Sequence, residues 1–586
     1  MDQAQFLRKT KIICTIGPAS DDPEILRELV KAGMNVARLN FSHGDHEEQK
    51  ARADRIKAIR EEMHVPLALM MDTKGPEVRT GVFEGGRVKL EKGQEVRIVY
   101  EDMVGTAEAF SVTYKDLAHD VKPGSTLLIN DGLITLEVLR LEDLDVVCRV
   151  VIGGEIANHK SINLPDVNLQ LPALTDKDLD DLRFAVDNQF DWIAASFVRR
   201  PDDIMEMRRV LASFGDKDIK ICAKIENREG VNNFEEILKV ADGVMVARGD
   251  LGVEIPAEEV PVIQKHMIKT AYEAGLPSIT ATEMLDSMIR NSRPTRAEVS
   301  DVANAIFDGT SCVMLSGETA MGQYPVESVK MMDRIARYTE ARIPYWDHFR
   351  NNAYQASNLT GAIGHAACTT AMDIGAQAII TVTHSGNTAR ALSRFRANVP
   401  IIAATVTERT KNQLAVSWGV TPVVIPVIQD TDELFETALE AALRTKLVKE
   451  GDLVVVTGGT PAGMSGTTNT LRVETLGKTI TQGTAITSHG TKQVSGDAVI
   501  LRDHQIPSAM QDVRSYILVA EKTTNEDLPL IREARALVLE DPDPESHAVT
   551  CAKLLEIPII FGATNASKLV HNGQMLNLNL SEGTVS

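Results

Sequence analysis

Residues 219–254 read IKICAKIENREGVNNFEEILKVADGVMVARGDLGVE, and their pattern decides the fold. In the first eight residues Ile219, Ile221, Ala223 and Ile225 alternate with Lys220, Cys222, Lys224 and Glu226, a period of two that predicts a strand. Lys224 and Glu226 then share one face at its C-terminal end. Phe234, Ile237 and Leu238 follow at helical spacing. GVMVA predicts a second strand, which runs into a tight Arg248-Gly249-Asp250-Leu251-Gly252 turn. Glu226 and Asp250 are 24 positions apart, about one strand–helix–strand unit. Strands joined in that way are parallel, so both carboxylates fall at the same edge of the sheet, one strand apart. Hard oxygen ligands beside a lysine, with a glycine turn exposing backbone N–H groups, suit a divalent cation and an anionic substrate. Taken singly, each fragment also fits an ordinary strand-end ion pair or a solvated turn.

Further strands are predicted at KIICTIG (11–17), NVARLNFS (35–42), LALMMDT (67–73), DWIAASFV (191–198), SITATEM (278–284) and SCVMLSGE (311–318). Helical patterns lie between them at 22–32, 46–62 and 294–308, the last with Pro294 near its start and a Thr295-x-x-Glu298 capping box. Eight strands alternating with helices predict an α/β fold, a (β/α)8 TIM barrel, whose chemistry gathers beyond the C-terminal ends of the strands. From Thr73 to Asp191 no helix-length period is visible, only short alternating runs split by Gly, Pro and Asp turns. That pattern predicts a small β domain inserted after barrel strand three, a lid for the mouth. A second α/β pattern restarts near Tyr345, and a Gly- and Thr-rich unit begins near Glu474. The expected division is a barrel over 1–72 and 165–344, an inserted lid over 73–164, an α/β domain over 345–473 and a C-terminal unit over 474–586.

At 586 residues the chain is too long for one domain, and its 43% hydrophobic content supports several buried cores. A net charge of −20 argues against nucleic acid or acidic membrane as a partner, because phosphate surfaces call for basic ones. An anionic substrate then needs a local positive site and a metal. The cysteines are scattered without a C-x-x-C pair, and Cys14, Cys222 and Cys312 lie in predicted strands; reduced, buried thiols are expected. With no N-terminal apolar h-region and no apolar run of roughly 18 residues, a soluble, cytoplasmic protein is expected.

Several motifs sit where barrel chemistry belongs. MNVARLNFSHG (34–44) carries Arg38, Asn40, Ser42 and His43; the Arg38 guanidinium matches phosphate oxygens, or else pairs with a carboxylate at the barrel mouth. MMDTKGPEVRTG (70–81) offers Asp72 and Thr73 as oxygen ligands, a Gly75-Pro76 hinge and Arg79 reaching back, or simply a hinge turn. Ser196 and Phe197 follow strand four. Thr282 ends strand seven, where a threonine serves either as a helix cap or as a proton relay. Thr383-His384-Ser385-Gly386-Asn387-Thr388, between a strand and a helix, forms a phosphate cradle or a helix cap.

The order KIEN, then MVARGDLGVE, together with MNVARLNFSHG, MMDTKGPEVRTG and SITATEML, resembles the pyruvate kinase family across most of the chain. The resemblance implies transfer of the phosphoryl group of phosphoenolpyruvate to ADP, giving pyruvate and ATP. It implies Mg2+ (or Mn2+) and K+ as cofactors, and a homotetramer regulated by a phosphorylated effector. Glu226 and Asp250 would be the Mg2+ ligands, and Asn40, Ser42, Asp72 and Thr73 the K+ ligands. Substrate would meet Arg38, Ser196, Lys224, Ala247, Arg248, Gly249, Asp250 and Thr282, with catalytic work by Lys224, Arg38, Arg79 and Thr282. The nucleotide would meet His43, Arg79 and Lys160. Glu77 goes with K+ dependence, since family members with Lys there do without the ion. The loop of Thr383, Ser385, Gly386, Asn387 and Thr388 would bind the effector's phosphate. Three positions depart from the family pattern: Glu283 replaces the usual Gln, KSINLPD (160–166) replaces K-G-V-N-L-P-G, and Asn387 stands where many relatives carry Arg or another residue.

SHAVTCAKLLEIPIIFG and NGQMLNL, near the C-terminus, are similar to the mobile phosphohistidine domain of phosphoenolpyruvate-utilising enzymes, with His547 matching the phosphorylated histidine. The glycine-rich approach to that histidine is replaced by Asp-Pro-Asp-Pro-Glu, whose charges repel a phosphoryl donor. A structural or regulatory His547 is therefore expected. Three competing readings remain: a phosphotransferase working through His547, a Mg2+-dependent barrel lyase acting on a 2-oxo acid, and a metabolite sensor with an inactive barrel. The first lacks a candidate ATP-grasp segment, Arg38 and Lys224 disfavour the second, and the full set of charged site residues disfavours the third.

Overall fold

The structure, a computed structural model, describes residues 8–351, 358–459, 468–477, 480–487, 491–507 and 515–586. Strands Lys11–Thr15, Val36–Asn40, Ala68–Asp72, Trp192–Ala195, Lys220–Ile225, Gly243–Ala247, Ser278–Ala281 and Cys312–Leu315 close into a parallel barrel in sequence order, the last pairing with the first. Both faces of each strand are buried, so the alternation is between two apolar surroundings rather than between oil and water. Leu39, Met71, Ile221 and Val246 pack with the outer helices. Val36, Met70, Cys222, Met245 and Ile279 join a separate cluster drawn from all eight strands, which fills the lumen. Two residues beyond Val36, Met70 and Cys222 stand Arg38, Asp72 and Lys224. The period of two therefore aims these three charges into the lumen at its C-terminal mouth. The opposite end is plugged by Ala415 and Val416, which join the same cluster from the α/β region.

The helices begin where their caps dictate. Asp22 accepts from the N–H groups of Glu24 and Ile25 and opens Pro23–Ala32; Thr295 and Glu298 form a reciprocal capping box at the head of Arg296–Phe307. Two expectations need correction. The Arg248–Gly252 stretch is not a turn but the start of a helix, Arg248–Glu254, entered straight from the strand. Between Thr73 and Asp191 there is a 12-residue helix, Asp176–Asp187, and a short one, Leu117–Asp120. The longer helix was masked because its buried face includes Asp178 and Asp181, which break the apolar stripe. Both are satisfied by hydrogen bonds: Asp178 accepts from Thr175 and from the distant Gly75 N–H, and Asp181 bonds the distant His46 and its neighbour Lys177.

The inserted domain has a sheet ordered Val78–Arg79, Ser161–Asn163, Thr126–Ile129, Ile134–Glu142, Asp145–Ile152, Glu95–Val99, Ala109–Ser111, around its own core of residues such as Phe110, Leu127 and Leu136. Its entering and leaving strands pair with each other, so both connections to the barrel lie side by side, the geometry of a hinge. Further on, five strands run in the order Val420–Val424, Ile401–Thr405, Ala378–Val382, Leu453–Gly459, Thr468–Thr475. The C-terminal unit has a mixed sheet whose parallel centre is Gln493–Leu501, Ile517–Ala520, Ala536–Leu539 and Ile559–Phe561. All the cysteines are free thiols, and all but Cys551 are buried. Among the described residues no helix is long and apolar enough to cross a membrane.

One buried carboxylate at the lower rim yields a stability prediction. Asp191 accepts from the Leu69 N–H (2.8 Å) and from Arg60 (3.1 Å), yet burial pushes its carboxyl up to about 6 despite the Arg60 charge. The folded chain thus holds this proton to higher pH than the unfolded chain, whose Asp titrates near 4. The resulting stability is complete below pH 4 and is lost as pH rises through 6, about 3 kcal/mol in all. The unfolding midpoint of Asp191→Asn should therefore gain on wild type as urea titrations move from pH 4 to pH 7. A constant gap would contradict the assignment.

Candidate active site

Asp72 is the hub of the mouth. Its Oδ2 accepts from Arg38 Nε at 2.6 Å, and its Oδ1 accepts from Lys224 Nζ at 2.9 Å and from Ser196 Oγ at 3.2 Å. Arg38 is braced from behind by Thr15 Oγ1 (2.8 Å). Lys224 Nζ also donates to Ser196 Oγ (2.6 Å) and lies 3.0 Å from Glu226 Oε1. Burial alone would raise Asp72, but Arg38 and Lys224 outweigh it and hold the carboxyl below its usual range. Burial alone would likewise lower Lys224, but Asp72 and Glu226 prevail and keep the ammonium charged. The site therefore has two fixed cations in place before any substrate arrives.

Glu226 is fully buried, and burial pushes it up to about 7 against the pull of Lys224, with a further push from Asp250. Its Oε2 accepts from the Phe197 N–H (2.6 Å), while Oε1 has no hydrogen-bonded donor, Lys224 approaching it only as an ion pair. Asp250, in the first turn of Arg248–Glu254, is also raised, chiefly by burial. A buried carboxyl and a half-buried one, both raised and the buried one with an oxygen that no donor claims, are short of a cation. Oxygen-only donors of this kind fit Mg2+. The candidate K+ ligands are also all oxygen donors: strand pairing sets Asn40 beside Asp72, but the Thr73 carbonyl already accepts from Ser196 Oγ (2.6 Å) and Asn40 Oδ1 from the Ser42 N–H (3.0 Å).

Thr282 is held on two sides. It sits at φ 70° and Glu283 at φ 57°, left-handed backbone that non-glycine residues adopt only when the surroundings impose it. A Cβ on Gly249 would stand 2.9 Å from Thr282 Cγ2, so only glycine lets the helix start slide beneath this side chain. The Arg248 guanidinium turns away from the mouth, bonding the Ala281 (3.0 Å) and Thr282 (2.6 Å) carbonyls and Asp301 (2.7 Å). Through these bonds it holds the backbone of Thr282 in place. Arg79 is placed apart from the cluster: its fork closes on Glu77 Oε2 (2.9 and 2.6 Å), and Nη1 donates to the His159 carbonyl (2.8 Å). Lys160 is anchored through its N–H to Thr80 Oγ1, and His43 is exposed on the loop after strand two. A cleft lies between the lid and the barrel, lined by Glu77 and Asn163 on one side and by Phe197 and Asp250 on the other.

Thr15, Asp301 and Glu254 are site components that the sequence reading missed, and at Phe197, which it named, the group that contributes is the backbone N–H. Glu254 is raised by burial while accepting from the Asn163 side chain and the Leu164 N–H of the lid's returning strand. None of the four carries a local sign, because each acts on a residue on another strand or domain. In the α/β domain, Thr383, Ser385 and Gly386 join strand Ala378–Val382 to helix Asn387–Ser393, and Thr388 Oγ1 meets Thr468 Oγ1 at 2.7 Å. In the C-terminal unit both ring nitrogens of His547 are engaged, Nδ1 with Thr523 Oγ1 (2.9 Å) and Nε2 with Asn525 Oδ1 (3.1 Å).

A closed (β/α)8 barrel whose mouth gathers buried cations and metal-competent carboxylates under an inserted lid defines a barrel enzyme acting on an anionic substrate. Comparison with known proteins narrows the class. The family model for the pyruvate kinase barrel domain matches residues 7–329, that for the pyruvate kinase alpha/beta domain matches 361–474, and that for the mobile domain of PEP-utilising enzymes matches 513–583. The chain is 46% identical over 581 residues to a pyruvate kinase of Geobacillus stearothermophilus, covering 99% of this chain and 98% of that one. It is 44% identical over 582 residues to one of Sporosarcina psychrophila, covering 99% of each. The crystal structure of a pyruvate kinase from Cryptosporidium parvum superposes with a TM-score of 0.77 at 40% identity, over 81% of this chain and 98% of the other. The chain belongs to the pyruvate kinase family, and is a phosphotransferase.

Proposed function

We propose that the protein moves the phosphoryl group of phosphoenolpyruvate onto ADP, yielding pyruvate and ATP, the closing reaction of glycolysis. The observation that carries this is the buried chain Arg38–Asp72–Lys224–Glu226, which fixes two cations and a metal-competent carboxylate around one spot. Phosphoryl transfer rests on in-line positioning and on charge neutralisation, and these side chains supply both. Glu226 and Asp250 would hold Mg2+ (or Mn2+), whose charge would offset that of the substrate's carboxylate and phosphoryl oxygens. N–H groups at the start of Arg248–Glu254 would receive the carboxylate. Arg38 would face the phosphoryl oxygens, and Lys224 the bridging oxygen that becomes the enolate as the P–O bond breaks. A β-phosphate oxygen of ADP forms the new P–O bond. The enolate then takes a proton at its methylene carbon through water held by Thr282, which makes the transfer strongly favourable. His43, Lys160 and Arg79 would serve the nucleotide, Arg79 leaving Glu77 as the lid closes.

The finer assignments belong to the same reading: K+ at Asn40, Ser42, Asp72 and Thr73, an effector phosphate at Thr383 and Ser385–Thr388, a homotetramer, and a cytoplasmic location. The division at 72/73, 164/165, 344/345 and 473/474 belongs here too. A coupled assay of pyruvate and ATP formation tests the reaction, and phosphoenolpyruvate turnover without ATP would overturn it. Glu77→Lys removes the carboxylate that claims Arg79 and puts an ammonium near the proposed K+ position. Its K+ activation should shrink several-fold, and an unchanged K+ titration would remove Glu77 from the account. His547→Ala should leave transfer rates within a few-fold, because both ring nitrogens serve the local fold. Collapse of activity in a folded variant would assign His547 a direct part.

A further inference from the structure

The lid hangs from the barrel by two links, an ingoing one after Asp72 and an outgoing one that ends at Thr175, where helix Asp176–Asp187 begins. Asp178 stands in the first turn of that helix and is fully buried. Its Oδ2 accepts from the Thr175 N–H (2.9 Å) and from Thr175 Oγ1 (2.6 Å), which holds the outgoing link. Its Oδ1 accepts from the Gly75 N–H (3.0 Å), and Gly75 lies 103 positions away on the ingoing link. One carboxyl thus clasps both links. Capping the helix requires only the bonds to Thr175; neither the burial nor the bond to Gly75 serves that end. The ingoing link is also placed with little tolerance. Gly75 is at φ 70°, and a Cβ there would stand 2.9 Å from Ser196 Cβ and 3.1 Å from Phe197 Cδ2. The chain therefore turns against the two residues that reach Lys224 and Glu226, through Ser196 Oγ and the Phe197 N–H. Arg199 steadies the lid as well, donating to the Leu169 (3.0 Å) and Leu171 (2.9 Å) carbonyls, but both of these lie on the outgoing side.

We infer that Asp178 is the pin of the lid's hinge, a positioning residue that holds the two links together and so fixes where the lid stands over the barrel mouth. A hinge works when a few residues absorb the change in backbone angle and the rest move as a body. Pinning both links at one point keeps the strands at the lid's root, Val78–Arg79 and Ser161–Asn163, turning together. The consequence for catalysis rests on the function proposed above. There the nucleotide is gripped by Arg79 and Lys160 of the lid and His43 of the barrel, whereas the residues given to the substrate belong to the barrel. A lid with a loosened pin should therefore cost ADP more than phosphoenolpyruvate.

The test joins a distance measurement to kinetics on the full chain. Spin labels go on Lys92→Cys of the lid and Glu206→Cys of the barrel, both exposed positions. The background is Cys551→Ser, the other cysteines being buried. Pulsed electron paramagnetic resonance then reports the lid–barrel separation whether or not the protein turns over. Asp178→Ala should broaden the distance distribution about twofold, raise KM for ADP about fivefold or more, and leave KM for phosphoenolpyruvate within about twofold. Thr175→Ala is the control. It removes the side chain that caps the helix but leaves Asp178 bonded to the Thr175 and Gly75 N–H groups, so distances and both KM values should match wild type. Should Asp178→Ala not fold, Asp178→Asn decides, because an amide has one acceptor oxygen and can hold only one of the two links. An unchanged distribution in the folded Asp178 variant, equal broadening in Thr175→Ala, or a KM for ADP that stays put or rises only in step with that for phosphoenolpyruvate would overturn the inference. A wild type that forms no pyruvate and ATP would refute the catalytic reading instead, and the distances alone would then decide the hinge.

Discussion

Lys224→Met should lower kcat by about a thousandfold or more while the protein remains folded. Losing a single preorganised group that stabilises developing charge typically costs 10²- to 10³-fold, and Lys224 faces both the bridging oxygen and the nascent enolate. Its ammonium is kept charged by Asp72 and Glu226, so methionine of similar length removes charge and little volume. Asp72 keeps Arg38 as a partner, and Glu226 can take up a proton, so the mouth survives the loss. Steady-state rates with circular dichroism as a control would show the effect. A kcat near wild type would contradict the role given to Lys224.

Glu226→Gln carries the second large effect. Gln can still accept from the Phe197 N–H but brings no charge to the cation site. The Mg2+ concentration for half-maximal rate should rise more than about tenfold, and kcat/KM should fall about a hundredfold or more. Stability should move the other way. At pH 8 wild-type Glu226 is ionised in a buried place that raises its pKa to about 7, a cost that glutamine avoids. The metal-free variant should therefore melt no lower than wild type. An unchanged Mg2+ titration would take Glu226 out of the metal site.

The site was legible to different depths. Arg38, Asp72, Lys224 and Glu226 were readable because a strand's period of two is a local property, and the residue two places back fixes which way a charge points. Arg79 sits at a readable position, but its fork closes on Glu77 and His159, a choice made by the hinge. Arg248 was flagged for its backbone, while its side chain proved to be the clamp on Thr282. The helix Asp176–Asp187 escaped notice because Asp178 and Asp181 are buried on hydrogen bonds to Gly75 and His46, groups far away in sequence.

By itself, the sequence determined the alternation of eight strands with helices, the inserted β segment, and which charged residues stand at the strand ends, since these follow from spacing along one chain. Only the tertiary structure decided which of those charges meet, and that Asp72 holds both Arg38 and Lys224. The physical reason is range: periodicity is set within a few residues, whereas burial and partner choice are set by groups tens to hundreds of positions apart that meet only when the barrel closes.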